Sequence, residues 1–68
     1  MKKITYEMKI FDNDYNEIDE ITISSNHEIN DIKIRLMISF LTNWDIIEIH
    51  EYHDNDIHDE YIVHRNEI

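Results

Sequence analysis

The apolar spacing of this chain changes from every second residue to every third or fourth, and then back, which constrains its fold more than any other feature. From Ile4 to Phe11 apolar and polar side chains alternate, as is typical of a half-buried strand. The alternation returns from Ile18 to Ser24, after a polar turn, and predicts a first β-hairpin. Because the chain contains no glycine, we expect this turn to be longer than two residues.

The next segment has the apolar spacing of a helix. Ser25 or Asn26 is suited to cap its start, and the helical spacing continues to Asn43. The apolar residues fall into two stripes on adjoining arcs of the helix. The first stripe is Ile29, Ile32, Leu36 and Phe40, and the second is Ile34, Met37, Ile38 and Leu41.

Two further strands are predicted after the helix. Trp44–His53 is rich in β-branched residues, and Asp59–His64 alternates again, with a turn at residues 54–56 between them. We therefore expect one domain over residues 1–68 with an α+β fold. Its order is ββαββ, with a four-stranded, mostly antiparallel sheet and one helix packed on a face.

The helix carries more apolar surface than a small sheet needs. One stripe is enough to cover such a sheet, so the other predicts an interface, and we expect a homodimer. A helix sunk into a strongly curved sheet is the alternative. A chain of 68 residues buries only about 60% of its surface and has no cysteine, so a second copy would help to stabilise it. The predicted apolar anchor or dimer face is Ile34, Met37, Ile38, Phe40, Leu41 and Trp44.

The chain is strongly acidic, with 16 Asp and Glu against 6 Lys and Arg and a formal charge of −10. Such a surface repels nucleic acid and anionic membranes and attracts basic partners. Fifteen isoleucines argue against a disordered acidic tail. With no apolar run of about 18 residues and no signal-peptide pattern, a cytoplasmic protein is expected.

The acidic residues are segregated from the basic ones, which indicates a binding surface. Carboxylates two residues apart on a strand lie about 6.6 Å from each other, comparable to phosphates along a nucleic-acid strand. Charge alone leaves two interpretations open, a DNA mimic and an acidic protein that is merely soluble. The residues predicted for the acidic surface are Asp12, Asp14, Glu17, Asp19, Glu20, Glu48, Glu51, Asp54, Asp56 and Asp59.

Two segments suggest metal binding, but neither fits. DNDYNEIDE, from Asp12 to Glu20, resembles the start of an EF-hand loop, yet it has Glu17 instead of the sixth-position glycine and Ile23 instead of the twelfth-position glutamate. In HEYHDNDIH, His50 and His53 would point to opposite faces of a strand. We therefore expect neither a metal nor a cofactor.

Catalysis is also not expected. The chain has no glycine-rich loop for phosphate chemistry, and nothing indicates a serine or threonine beside an oriented base. A domain of this size has little room to enclose a substrate.

The pattern of hairpin, apolar helix and further strand, from Tyr6 through EMKIFDNDYNE, the helix and WDIIEIHEY, resembles the small uracil-DNA glycosylase inhibitors of Bacillus phages. The resemblance implies an acidic homodimer that imitates DNA and blocks the enzyme's DNA-binding cleft, with a hydrophobic pocket for an apolar side chain of the enzyme. The helix, IRLMISFLTN, has no equivalent of the family's aromatic and acidic pair, and DEYIVHRNEI extends beyond the family's usual end. No residue is therefore carried over as functional.

The expected function is that of a phage-encoded inhibitor of a basic DNA-binding enzyme of the host, acting in the host cytoplasm without binding nucleic acid itself. Uracil-DNA glycosylase is the first candidate target, and an anti-CRISPR or anti-restriction inhibitor is the alternative. A non-inhibitory acidic module that dimerises or regulates is an alternative of another class. Phe40, Met37 and Trp44 are the residues expected to anchor the partner.

Overall fold

In the computed structural model, which describes residues 3–67, the first alternating segment forms a strand with the predicted bounds. Four strands pair into one sheet in the order β2-β1-β3-β4, and every pair is antiparallel. The predicted α+β fold, with ββαββ order and one helix, is confirmed. The elements are β1 Ile4–Phe11, β2 Glu17–Ser25, α1 Asp31–Ser39, β3 Ile46–His53, β4 Asp56–His64 and a short 3-10 helix, Arg65–Glu67.

The core lies between the helix and one face of the sheet. Side chains of β1 alternate between buried and half-buried along its whole length, as the period of two predicts. The buried side chains of β1, α1 and β3 form one cluster, to which Trp44 and Val63 are added. Its members are Ile4, Tyr6, Met8, Ile10, Ile34, Ile38, Trp44, Ile47, Ile49 and Val63.

The helix is shorter than its apolar spacing predicts. Neither Ser25 nor Asn26 caps it, because Ser25 still belongs to β2 and pairs with Ile4. Asn30 is the cap instead: its backbone is extended, and its side-chain oxygen accepts a hydrogen bond of 2.9 Å from the Lys33 backbone N–H. The helix ends at Ser39 rather than Asn43, which has a φ of 61°.

Strand β3 begins at Ile46, two residues later than predicted. Trp44 is buried before the strand, where its indole N–H donates to the Leu41 carbonyl at 3.2 Å. Arg65 donates to the Trp44 carbonyl at 3.1 Å and places its guanidinium 5.6 Å from the centre of the indole ring. These contacts join the end of the helix region to the end of β4.

Both edge strands contain a β-bulge. In β2 the register with β1 shifts so that Ile18 is an extra residue, and in β4 the register with β3 shifts so that His58 is extra. Bulges at sheet edges re-aim a side chain and interrupt the simple alternation of faces. Within residues 3–67, no helix has the length and apolar character needed to cross a membrane.

Candidate functional site

The two halves of the predicted acidic surface lie at opposite ends of the sheet. Ile4 pairs with His53 and Phe11 with Ile46, so the β1–β2 turn and the β3–β4 turn point in opposite directions. Seven residue steps along the strands separate them by roughly 23 Å. The acids of the two turns therefore do not form one continuous surface, although Glu20 and Glu48 lie on either side of Lys9.

The side chain of Asp12 stabilises the β1–β2 turn by accepting hydrogen bonds from within it. One oxygen of Asp12 accepts hydrogen bonds of 2.9 Å from the backbone N–H groups of Asp14 and Asn16, and the other accepts from the Asn16 side chain at 3.1 Å. These bonds, chiefly those from Asn16, lower the pKa of Asp12 below its ordinary value. DNDYNEIDE thus forms a polar turn that leads into β2.

The second hairpin concentrates negative charge without any counter-charge of its own. Residues 46–64 contain six Asp and Glu and no Lys or Arg. Asp56, Asp59 and Glu60 are exposed along the outer strand β4, and Asp54 is exposed in the turn. Lys9 of the first hairpin lies opposite Glu20 on one side and opposite Glu48 of the second hairpin on the other.

Glu51 is not part of an exposed acidic surface, and its prediction is corrected. Its side chain points to the face covered by the helix, where the residue is 6% exposed. It is the one charged residue that is buried among residues 3–66. The sequence placed it among surface acids because its neighbours are acidic, whereas the register sets it beside Tyr6, a core residue.

Two histidines approach Glu51 from the second hairpin. The same carboxylate oxygen of Glu51 lies 2.5 Å from His53 Nε2 and 3.9 Å from His58 Nε2. The two imidazole rings stack with their centres 3.8 Å apart and their planes 12° from parallel. With Glu28 these residues offer four possible metal-ligand atoms that all lie within 4.8 Å of one another.

Sequence reasoning missed this group because it compared the wrong pair of histidines. As predicted, His50 and His53 lie on opposite faces, since their strand alternates. His58 reaches His53 because the two strands are joined by a tight hairpin and because the bulge inserts His58 beside Glu51. A search for histidines facing each other across the predicted turn would have found the pair.

On the open face of the sheet, His50 lies between two other carboxylates. Its Nε2 is 3.4 Å from one oxygen of Glu48 and 3.4 Å from one oxygen of Glu60. Its Nδ1 is buried and has no hydrogen-bond partner within the described chain. Glu48, predicted for the acidic surface, is therefore half-buried and close to an imidazole.

A cleft of about 370 Å³ opens between the start of the helix and the second hairpin. Its lining includes Glu28, Asp31, Glu51, Asp59 and Tyr61. Burial, followed by the nearby charges of Asp31, Glu51 and Asp59, raises the pKa of Tyr61 to about 12. The cleft thus has a high density of negative charge, and the Tyr61 hydroxyl in it loses its proton at a higher pH than a free tyrosine does.

The structure divides the residues predicted for the apolar anchor or dimer face between core and surface. From the predicted interface, Ile34, Ile38 and Trp44 are buried in the core, and Leu41 packs against it. Phe40 is 78% exposed and Met37 is 37% exposed, so these two remain available. Ile32 and Leu36, which belong to the first stripe, are exposed. The two stripes are about equally apolar, so the sequence alone did not distinguish them.

In comparisons with known proteins, no family model, no curated protein and no solved structure matches this chain.

Proposed function

We propose that the protein is a non-enzymatic inhibitor that imitates DNA and binds the DNA-binding cleft of a basic enzyme through its second hairpin. The observation that supports this is the charge of residues 46–64, which hold six carboxylates and no Lys or Arg. Of these six, only Glu51 is buried. A nuclease or glycosylase cleft is lined with Lys and Arg that bind phosphates, and it would accept such a surface.

The outer strand gives this surface its shape. Asp56 lies opposite His53 and Asp59 opposite Glu51, while Glu60 lies opposite His50 on the other face. The carboxylates therefore project from both faces of one extended strand. They line it with negative charge, as phosphates line a nucleic-acid strand. A rigid sheet holds them in place, so little conformational entropy is lost when a partner binds.

Charged edge strands have a simpler explanation, which the experiment has to separate from mimicry. Natural sheets place charges on edge strands to prevent pairing with other chains. Protection against edge pairing requires charge on both edge strands, and it requires no specific binding partner. Mimicry requires instead that one edge matters more than the other and that duplex DNA competes for the partner.

The first candidate target is a uracil-DNA glycosylase, because the pattern from Tyr6 to Tyr52 resembles the phage inhibitors of that enzyme. Restriction and Cas nucleases are alternatives, since their clefts bind the same polyanion. The chain would act in the cytoplasm of a phage host, where these enzymes meet DNA.

A second candidate function, a module that only dimerises, is supported by the exposed side of the helix. Ile32, Leu36 and Phe40 follow one another at every fourth position and are 77%, 58% and 78% exposed. An exposed apolar stripe of this kind is typical of an interface. We propose that it forms the contact between two copies of the chain, which leaves both second hairpins accessible.

The test is inhibition of three purified enzymes: a bacterial uracil-DNA glycosylase, a restriction endonuclease and a Cas nuclease. We expect stoichiometric inhibition of at least one, competitive with duplex substrate and weakened by salt. A mutated enzyme that lacks phosphate-binding Lys and Arg should escape. Absence of inhibition in all three, with a dimer present, would favour the dimerisation module instead.

A further inference from the structure

Glu51 raises a physical problem that the proposed function leaves unsolved. It is 6% exposed, and the imidazoles of His53 and His58 lie within 4 Å of its carboxylate. Buried charges in proteins are paired or coordinate metals, because an isolated carboxylate loses its hydration. Two imidazoles, the Tyr6 hydroxyl and, from the connection before the helix, Glu28 lie close to Glu51.

We propose that Glu28, Glu51, His53 and His58 bind one divalent transition-metal ion, with zinc as the preferred ion. The set contains two nitrogen and two carboxylate ligands, and zinc accepts both kinds in a four-coordinate site. The metal would place a positive charge beside the buried carboxylate of Glu51.

The four ligand atoms are close enough to share such an ion, provided that the stacked rings of His53 and His58 rotate so that both nitrogens point at it. Ligand atoms bound tetrahedrally at about 2.1 Å from zinc lie roughly 3.4 Å from one another. Here the four atoms all lie within 4.8 Å of one another. The hydrogen bond between Glu51 and His53 would open, and His58, now 3.9 Å from the Glu51 oxygen, would move slightly closer.

The ligand types exclude the alkaline-earth ions as preferred occupants. Calcium takes six to eight oxygen ligands, and magnesium keeps an octahedral shell of oxygens, largely water. Imidazole nitrogens favour zinc, copper, nickel or iron. Calcium and magnesium therefore serve as negative controls.

The fold explains why these four residues meet. Glu51 and His53 share a face because they are two residues apart on β3, and the bulge in β4 brings His58 beside them. Glu28 comes from the segment between β2 and α1, which is tied down because the Ile29 backbone N–H donates to the Tyr6 hydroxyl at 2.8 Å. A bound ion would thus fasten the helix segment to the second hairpin, in a domain too small to have a large core.

The experiment is a calorimetric titration of the untagged protein with zinc chloride, repeated with cobalt(II) chloride while the visible absorption of bound cobalt is recorded. The variants are His58→Gln and Glu28→Gln, whose exposed positions keep the fold intact. The matched control is His64→Gln, an exposed histidine on β4 outside the group. We expect one zinc per chain, affinity at least about tenfold weaker in each ligand variant, and no change in the control. Zinc at a hundredfold excess over its Kd should raise Tm by roughly 10–20 °C.

Failure to bind zinc would overturn the proposal, and so would binding that His58→Gln and Glu28→Gln leave unchanged. Tighter binding of calcium or magnesium than of zinc would also contradict it. The proposal does not rest on DNA mimicry, because the titration needs no partner protein.

Discussion

An oxygen of Glu51 lies 2.5 Å from Nε2 of His53, on the face of the sheet that the helix covers. The two residues are separated by one position on β3, so both side chains point the same way. A carboxylate that would otherwise be buried alone is therefore held by an imidazole. Because Glu51 is both an acid of the second hairpin and a buried residue, changes at this pair should affect the stability of the fold.

Replacing Glu51 by Gln is expected to have different consequences with and without zinc. With a chelator present, the variant should differ from the wild type by no more than about 1 kcal/mol, because Gln keeps the shape of the side chain, removes a buried charge and can still hydrogen-bond to the His53 ring. With zinc at a hundredfold excess over Kd, the wild type should gain about 2.7 kcal/mol that the variant lacks. Urea unfolding followed by the fluorescence of Trp44 measures both. Equal differences in zinc and chelator would contradict the expectation.

A matched pair of isoleucines tests which face of the helix packs in the core. Ile38 is 1% exposed and Ile32 is 77% exposed, on the same helix. Ile38→Ala should lower the free energy of unfolding by about 2–4 kcal/mol, because it leaves a cavity, whereas Ile32→Ala should change it by less than about 0.5 kcal/mol in the monomer. Urea unfolding at low protein concentration makes the comparison. If Ile38→Ala does not fold, Ile38→Val provides the smaller step of about 1 kcal/mol.

Self-association should depend on the exposed stripe of the helix. We expect the wild type to sediment as a dimer and the double variant Leu36→Gln, Phe40→Gln to sediment as a monomer, because two large apolar side chains leave the interface. The control is Ile57→Gln, Ile62→Gln, which removes comparable exposed apolar surface from β4. Dissociation by the control and not by the helix variant would place the interface on the sheet.

Tyr61 should make the protein less stable in alkali. Burial, together with Asp31, Glu51 and Asp59, raises its pKa from 10 to about 12 in the folded state. The unfolded chain therefore releases this proton first, so the contribution is complete below pH 10 and is lost between about pH 10 and 12. Two pKa units correspond to about 2.7 kcal/mol at most, less for a half-buried group. Unfolding at several alkaline pH values should show this slope, and Tyr61→Phe should reduce it.

Some slope will remain in Tyr61→Phe, because burial also raises the pKa of Tyr6. A slope that is identical in the wild type and in Tyr61→Phe would contradict the assignment to Tyr61.

The sequence predicted the sheet well because strand alternation is a local signal. Ile4–Phe11 has its predicted bounds since its even-numbered residues, all apolar, face the core, while Thr5, Glu7 and Lys9 face away. The helix was harder, because Asn30 caps it by a side-chain bond to Lys33 that no periodicity reveals. The start predicted at Ser25 or Asn26 was wrong, since pairing with Ile4 extends β2 through Ser25.

The candidate sites were less predictable, because they depend on distant pairs. In the sequence, Glu51 cannot be distinguished from the exposed acids around it. Its pairing with Tyr6 in the sheet shows that it is buried. His58 joins His53 through a bulge that has no glycine to mark it. The exposed acids of the second hairpin, by contrast, follow directly from composition.

The most direct test of DNA mimicry compares the two edges of the sheet at equal charge. One triple variant, Asp56→Asn, Asp59→Asn, Glu60→Gln, neutralises β4, and the other, Glu17→Gln, Asp19→Asn, Glu20→Gln, neutralises β2. Their affinities are measured for the enzyme that the wild type inhibits, with duplex DNA as competitor. At about 0.5 kcal/mol for each charge, the β4 variant should bind roughly tenfold more weakly than the wild type, and the β2 variant should stay within about threefold. Equal losses from both edges, or binding that duplex DNA does not displace, would contradict the account.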